Sequence, residues 1–175
     1  MNFCKLLLAV ACLAVFTTAN ATPPIRPMDG SVIKVIVTGG PNAGTYNLTS
    51  AETTCSRNAT GANSFGNQYS TRAATGLTSV QLIIGDAKKA ASGSTSDCYL
   101  SIRFGKLIGG TKYEFGKLPA SFGGEDTGGK GTAGLSGSGN TTTSTIEGTT
   151  KSGVKIQVTI QCRSVLDLGN KLNQN

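Results

Sequence analysis

Apolar and polar residues alternate along most of this chain in short runs, a period of about two rather than 3.6, so the expected elements are β-strands. Ser31 to Thr38 ("SVIKVIVT") sets Ile33, Val35 and Val37 on one face and predicts the first strand. "GGPNAG" after it is a turn. Thr45 to Thr49 is a short strand with Tyr46 and Leu48 aligned, and Glu52 to Gly66 reads as a loop around Cys55. Asn67 to Arg72 reads as an edge strand. Thr78 to Gly85 is stronger, with Val80, Leu82 and Ile84 facing one way and Ile83 the other. Asp97 to Phe104 sends Cys98, Leu100, Ile102 and Phe104 inward and Tyr99, Ser101 and Arg103 outward. Lys112 to Phe115 aligns Tyr113 with Phe115. Helical composition occurs only at Ala87 to Ala91 ("AKKAA"), enough for a turn or two.

From Lys130 the pattern predicts a meander over Thr132 to Ser136, Thr142 to Thr149 and Val154 to Arg163. The last two strands are joined by "KSG", with Gly153 where a hairpin needs positive φ. The last run points Val154, Ile156, Val158, Ile160 and Cys162 inward and belongs near the centre of a sheet. About seven to ten such strands imply an all-β fold: a single-domain antiparallel β-sandwich or small barrel over 31–164, ending in the meander. The polar tail over 165–175 is expected to fray.

The chain opens "MNFCKLLLAVACLAVFTTANA", one Lys, an apolar run from Leu6 to Phe16, and the small-residue site Ala19-Asn20-Ala21. That is the pattern of a secretory signal peptide over 1–21, followed by a Pro-rich lead over 22–30. The apolar run is shorter than the roughly 20 residues a bilayer span takes, so no transmembrane segment is expected in the mature chain. Ala9-Val10-Ala11-Cys12 loosely resembles a lipobox but lacks the usual Leu, and cleavage there would leave a second greasy segment. After removal of the leader about 150 of the 175 residues remain, one domain's worth, able to bury roughly two thirds of its unfolded surface.

Net charge is +7, but the lysines are spread along the chain and only Lys88 and Lys89 are adjacent. A nucleic-acid surface concentrates cations on a stripe with stacking aromatics; Trp is absent here, so no nucleic-acid partner is expected. "GGEDTGGKGTAG", Gly123 to Gly134, places Gly124, Gly129 and Lys130 at P-loop spacing, yet Gly131 replaces the hydroxyl residue. No helical period follows to face a phosphate, so the segment reads as a mobile connection and no nucleotide cofactor is expected. Within it Glu125 and Asp126 form the candidate ligand-contact loop.

The chain has no histidine. That removes Ser-His-Asp and Cys-His catalytic groups, blue-copper sites and ordinary His-containing zinc sites. Ser31 and Lys34 match Ser-x-x-Lys spacing, but a strand sends residues three apart to opposite faces. Glycoside hydrolysis needs two flanking carboxyl groups, and nothing in the spacing pairs Glu114, Glu125, Asp126 or Glu147. No catalytic residue, metal site or cofactor is therefore expected. Asn-x-Ser/Thr triplets at Asn47, Asn58 and Asn140 are at chance level in so Ser- and Thr-rich a chain.

Three cysteines lie beyond the leader: Cys55, Cys98 and Cys162. An oxidising compartment favours one disulfide and one free thiol. Cys98 and Cys162 both point inward from strong strands; alternatively Cys55 bonds Cys162 and Cys98 is a small buried hydrophobe. Either loop is long enough for about 4 kcal/mol of chain-entropy stabilisation, so energy leaves the choice open.

The order of Gly-Thr-Tyr at Gly44 to Tyr46, Cys55, "LTSVQLII" from Leu77, a Gly- and Thr-rich hairpin and the closing "GVKIQVTIQC" resembles small secreted β proteins related to the mycobacterial LpqH surface lipoprotein antigens, from about Ile33 to Cys162. Cys98 and the missing lipobox depart from that pattern. The resemblance implies a Cys55–Cys162 disulfide, a cell-envelope or secreted location, an antigen- or adhesin-like role and no catalytic residues. The expectation is a secreted or periplasmic, non-enzymatic binding or envelope component, monomeric, with an unknown surface partner. The alternative is a lipid- or carbohydrate-binding module, against whose carbohydrate version the lack of Trp counts.

Overall fold

The computed structural model describes residues 31–139 and 141–169; the expected leader, the Pro-rich lead and the last six residues lie outside them. Along the chain the strands are β1 (Ser31–Thr38), β2 (Gly44–Ser50), β3 (Thr54–Arg57), β4 (Phe65–Ser70) and β5 (Leu77–Ile84), followed by the helix α1 (Ala87–Ser92). Then come β6 (Cys98–Phe104), β7 (Thr111–Gly116), a 3-10 turn at Ala120–Phe122, β8 (Lys130–Ser138), β9 (Thr141–Thr149), β10 (Lys155–Cys162) and β11 (Leu166–Asp167). They form two sheets, ordered β2-β1-β10-β9-β8 and β11-β3-β4-β5-β6-β7. All pairings are antiparallel except β11 with β3.

The architecture is a sandwich rather than a barrel. β10 lies at the centre of the first sheet, and its alternation puts Ile156, Val158 and Ile160 opposite Val37, Val35 and Ile33 of β1. In the second sheet Val80 and Leu82 face Ile102 and Leu100, which in turn face Tyr113 and Phe115. These inner faces merge into one buried core, because each sheet can dry its apolar face only against the other. On the outer face of the second sheet, Ile83 and Tyr99 are also buried.

The sheets are tied together at both ends of β9. Beside Thr142, Cys162 at the end of β10 bonds Cys55 of β3, with Cα atoms 6.2 Å apart. Of the two pairings open in the sequence, this is the one present, and Cys98 is a buried free thiol. Toward the other end the Phe115 ring lies against glycines. A side chain at Gly148 would start 2.7 Å from that ring, and one at Gly129 2.7 Å from the Phe115 Cβ; one at Gly131 would run into the ring as well. Gly129, one of the glycines at P-loop spacing, and Gly131 after it are thus required by close packing of β8 and β9 on β7, whereas Gly124 meets only an ordinary contact at 3.7 Å and answers to its φ of 65°.

That segment is also pinned rather than mobile. The Thr127 hydroxyl donates to the Gly116 carbonyl at 2.8 Å, Gly116 N–H to Gly129 O at 3.1 Å and Leu118 N–H to Glu125 O at 2.9 Å. Other expectations are corrected too. Cys55 lies in strand β3, not in a loop, its four residues held by pairing with β4. β4 is an interior strand, not an edge. The tail does not fray at once: Leu166 and Asp167 pair in parallel with Ser56 and Arg57, and the Asn58 amide donates to Asp167 Oδ1 at 3.0 Å. The free edge of β8 is covered where Thr95 exchanges both backbone hydrogen bonds with Ala133, at 2.9 and 2.8 Å.

Two outcomes follow for stability. Gly131→Ala, which drives a methyl into Phe115, is expected to cost about 1 to 3 kcal/mol in urea denaturation, while Gly66→Ala on β4, whose methyl would meet only ordinary contacts at 3.6 Å, stays within about 0.5 kcal/mol of the parent. Replacing Cys55 and Cys162 together by Ala releases a loop with a sequence separation of 107. It is expected to cost about 4 to 5 kcal/mol, seen as a lower urea midpoint in non-reducing buffer.

Candidate functional site

The placement of each sequence candidate decides how much of it survives. Glu125 and Asp126 are exposed. Asp126 Oδ1 accepts the Gly128 N–H at 2.8 Å and its backbone bridges to Lys117, so this carboxylate closes a turn. Among the described residues no group of three or more His, Cys, Asp or Glu is gathered as a metal site would need. Glu114 and Glu147 lie on the outer faces of different sheets, because each alternates with buried neighbours. A core thus separates the two carboxylates, and they cannot flank one substrate. Ser31 is buried and Lys34 exposed on opposite faces of β1. Asn58 has φ 59°, a left-handed geometry that Asn tolerates, and its side chain both donates to Asp167 and accepts from Asn63 N–H.

Cys98 begins β6 on its inner face. Burial pushes its thiol up to about 11, with the charge of Asp97 adding to the effect. It is a packed thiol rather than a nucleophile, because only the thiolate reacts.

A site that sequence reading did not single out lies on the outer face of the second sheet. Across β4, β5, β6 and β7 the register lines up Ser70, Ser79, Arg103 and Lys112. Two small serines in that row leave a hollow of about 1030 Å³, whose walls include Glu52, Arg72, Arg103, Lys106 and Leu107. At the irregularity in β5 between Leu77 and Ser79, Thr78 lines the hollow and its hydroxyl donates to the carbonyls of Arg103 at 3.2 Å and Gly105 at 2.8 Å. Bulges of this kind re-aim a strand beside a site.

The charge balance of this hollow is positive. Lys112 pairs with Glu114, and the hydrogen bond to that carboxylate holds the ammonium above its ordinary range; the Tyr99 hydroxyl donates to the same Glu114 at 3.2 Å. This is the only ion pair among the described residues, so Arg72, Arg103 and Lys106 keep their charge free, with Glu52 the one carboxylate on the wall. Such a surface can hold an anion through charge-assisted hydrogen bonds.

A second, smaller hollow of about 420 Å³ lies outside the first sheet. It is lined by Lys34, Thr132, Thr145, Glu147, Gln157 and Thr159 among others, with Gly93 and Ser94 at its side. Lys34 and Glu147 offset each other there, and nothing selects a ligand charge.

Comparison with family models, with curated proteins and with solved structures found no match.

At pH 8, native Cys98 is expected to resist iodoacetamide and to label only in denaturant. Its folded-state value is raised above the ordinary 9.0, so the stability it lends is fully present below pH 9 and lost as pH rises toward 11. Urea midpoints measured from pH 8 to 11 should fall more steeply for the parent than for Cys98→Ala.

Proposed function

We propose that the protein is an exported, non-enzymatic binding domain of the cell envelope or its surroundings, and that it takes an anionic partner in the hollow on the outer face of the second sheet. The carrying observation is the convergence of Arg72, Arg103 and Lys106 on one concavity without salt-bridge partners. The oxidised Cys55–Cys162 pair supports an oxidising compartment, and the leader-like segment and the LpqH-like order of elements support an envelope role as surface antigen or adhesin. The lack of histidine and the separation of Glu114 from Glu147 favour binding over catalysis. The hollow is open and polar, as suits a headgroup, a sulfated or phosphorylated glycan or an acidic segment, and unlike the enclosed apolar cavities that swallow small lipids.

Heparin serves as a soluble anionic probe. Titration calorimetry at low salt should show R72A/K106A binding at least fivefold more weakly than the parent, while K88A/K151A, equal in net charge but outside the hollow, loses less than twofold. Equal losses in the two variants would mean diffuse attraction and defeat the site. A hydrolytic activity abolished by Glu147→Gln would defeat the non-enzymatic reading.

A further inference from the structure

The hollow ends at the β6–β7 hairpin, and the tip of that hairpin breaks the rule for surface turns. Its sequence is "GKLIGG", Gly105 to Gly110, and the side chains at its apex, Leu107 and Ile108, are 79 % and 88 % exposed. Single exposed aliphatics are ordinary. Two adjacent ones at a protruding apex, where Asn, Asp and Gly usually stand, keep a steady cost in hydration unless something covers them.

The apex is held in this presentation rather than left to collapse. Arg103 Nη1 donates to the Leu107 carbonyl at 2.9 Å, and Gly110 N–H donates to Lys106 O at 3.1 Å. Gly105 N–H donates to Gly76 O at 2.9 Å, tying the tip to the β4–β5 turn. Gly105 and Gly109 have φ of 79° and 81°, and a side chain at Gly110 would collide with the Phe104 and Lys106 carbonyls. Beneath the tip, Phe104 packs between Tyr46, tilted at a centroid distance of 4.8 Å, and Tyr113, edge-on at 6.0 Å.

Apolar apex and cationic hollow adjoin: Leu107 lines the hollow with Arg72, Arg103 and Lys106. We infer that this end of the molecule docks on a lipid bilayer carrying anionic headgroups, Leu107 and Ile108 entering the acyl boundary while Arg72, Arg103 and Lys106 meet the phosphates. The inference rests on the anionic-partner reading above and names the partner. Charge complementarity and shape select this occupant. A soluble polyanion would use the cations but has no use for the apex. A protein partner would need roughly 800 Å² on each side, polar and apolar together, and two side chains at a hairpin tip make a small apolar centre for a patch of that size. A bilayer needs only a small insertion, combined with cations that each favour an anionic leaflet, and these two weak signals together give stable but reversible attachment.

The test uses the mature, disulfide-bonded chain with sedimentation of vesicles made of phosphatidylcholine alone or of phosphatidylcholine with one quarter phosphatidylglycerol. The parent should partition at least tenfold more strongly onto the anionic vesicles. Ile108→Ser, at an 88 % exposed side chain that stands at the apex and not on the wall of the hollow, should lose at least fivefold of that partitioning while keeping its heparin affinity, with unchanged near-ultraviolet circular dichroism as the check on folding. In a chain without Trp, Ile108→Trp supplies a depth signal, and its emission should shift to the blue on anionic vesicles. Heparin binding without vesicle binding would leave the anionic-partner reading standing and overturn the membrane inference. Vesicle binding that Ile108→Ser leaves unchanged would also overturn it, by showing surface charge alone at work. Absence of both bindings would overturn both readings.

Discussion

The Cys55–Cys162 bond is the constraint on which the rest of this structure leans. It joins a four-residue strand near one border of the second sheet to the end of the central strand of the first. β3 offers little apolar surface of its own, with Cys55 its sole buried residue. Without the covalent tie, β3 and the β11 segment paired to it would rest on a few ladder hydrogen bonds, which contribute modestly in water. Around the bond the interior turns polar: buried Asn67 donates to Cys55 Sγ at 3.1 Å, and Ser31, Thr142 and Ser144 are buried as well. The bridge therefore sits where hydrophobic packing is thinnest, and Phe115 in its glycine notch closes the opposite end.

A sandwich closed in this way leaves little freedom inside, and the hollows described above lie on its outer faces and toward the hairpin ends. The two outer faces differ in a way that follows from register. On the first sheet Lys34 and Glu147 share one hollow, and Glu147 also lines the hollow beside it together with Lys130 and Lys155, one carboxylate among the cations. On the second, Glu114 is drawn onto Lys112 and Tyr99, so Arg72, Arg103 and Lys106 stand against Glu52 alone. The same Arg103 that lines the hollow also braces the apolar apex through its contact with the Leu107 carbonyl, which couples the polar and apolar halves of the proposed surface in one side chain.

Much of the fold was readable from alternation alone. Ser31–Thr38 appears with the bounds its pattern implies, and the inward sets on β5, β6 and β10 are buried as read. Where strands carry few apolar residues, reading failed: β3 ("TCSR") and β11 ("LD") have no periodic signal and exist only because β4 and β3 offer paired edges. The glycine run, read as a mobile connection, shows a different gap. Nothing local in it showed that Gly129 and Gly131 answer to Phe115, a residue from another strand.

The sequence by itself determined the β class, the orientation of the strong strands, the absence of histidine chemistry and the small set of possible disulfides, because each of these is local or compositional. Only the tertiary structure decided which cysteines bond, which strands are edges, and that Arg72, Arg103, Lys106 and the Leu107–Ile108 apex share one end of one face. Those are facts of register and topology. They arise when segments remote in sequence are brought together by burying a common core, and no window of the chain short enough to have a period contains them.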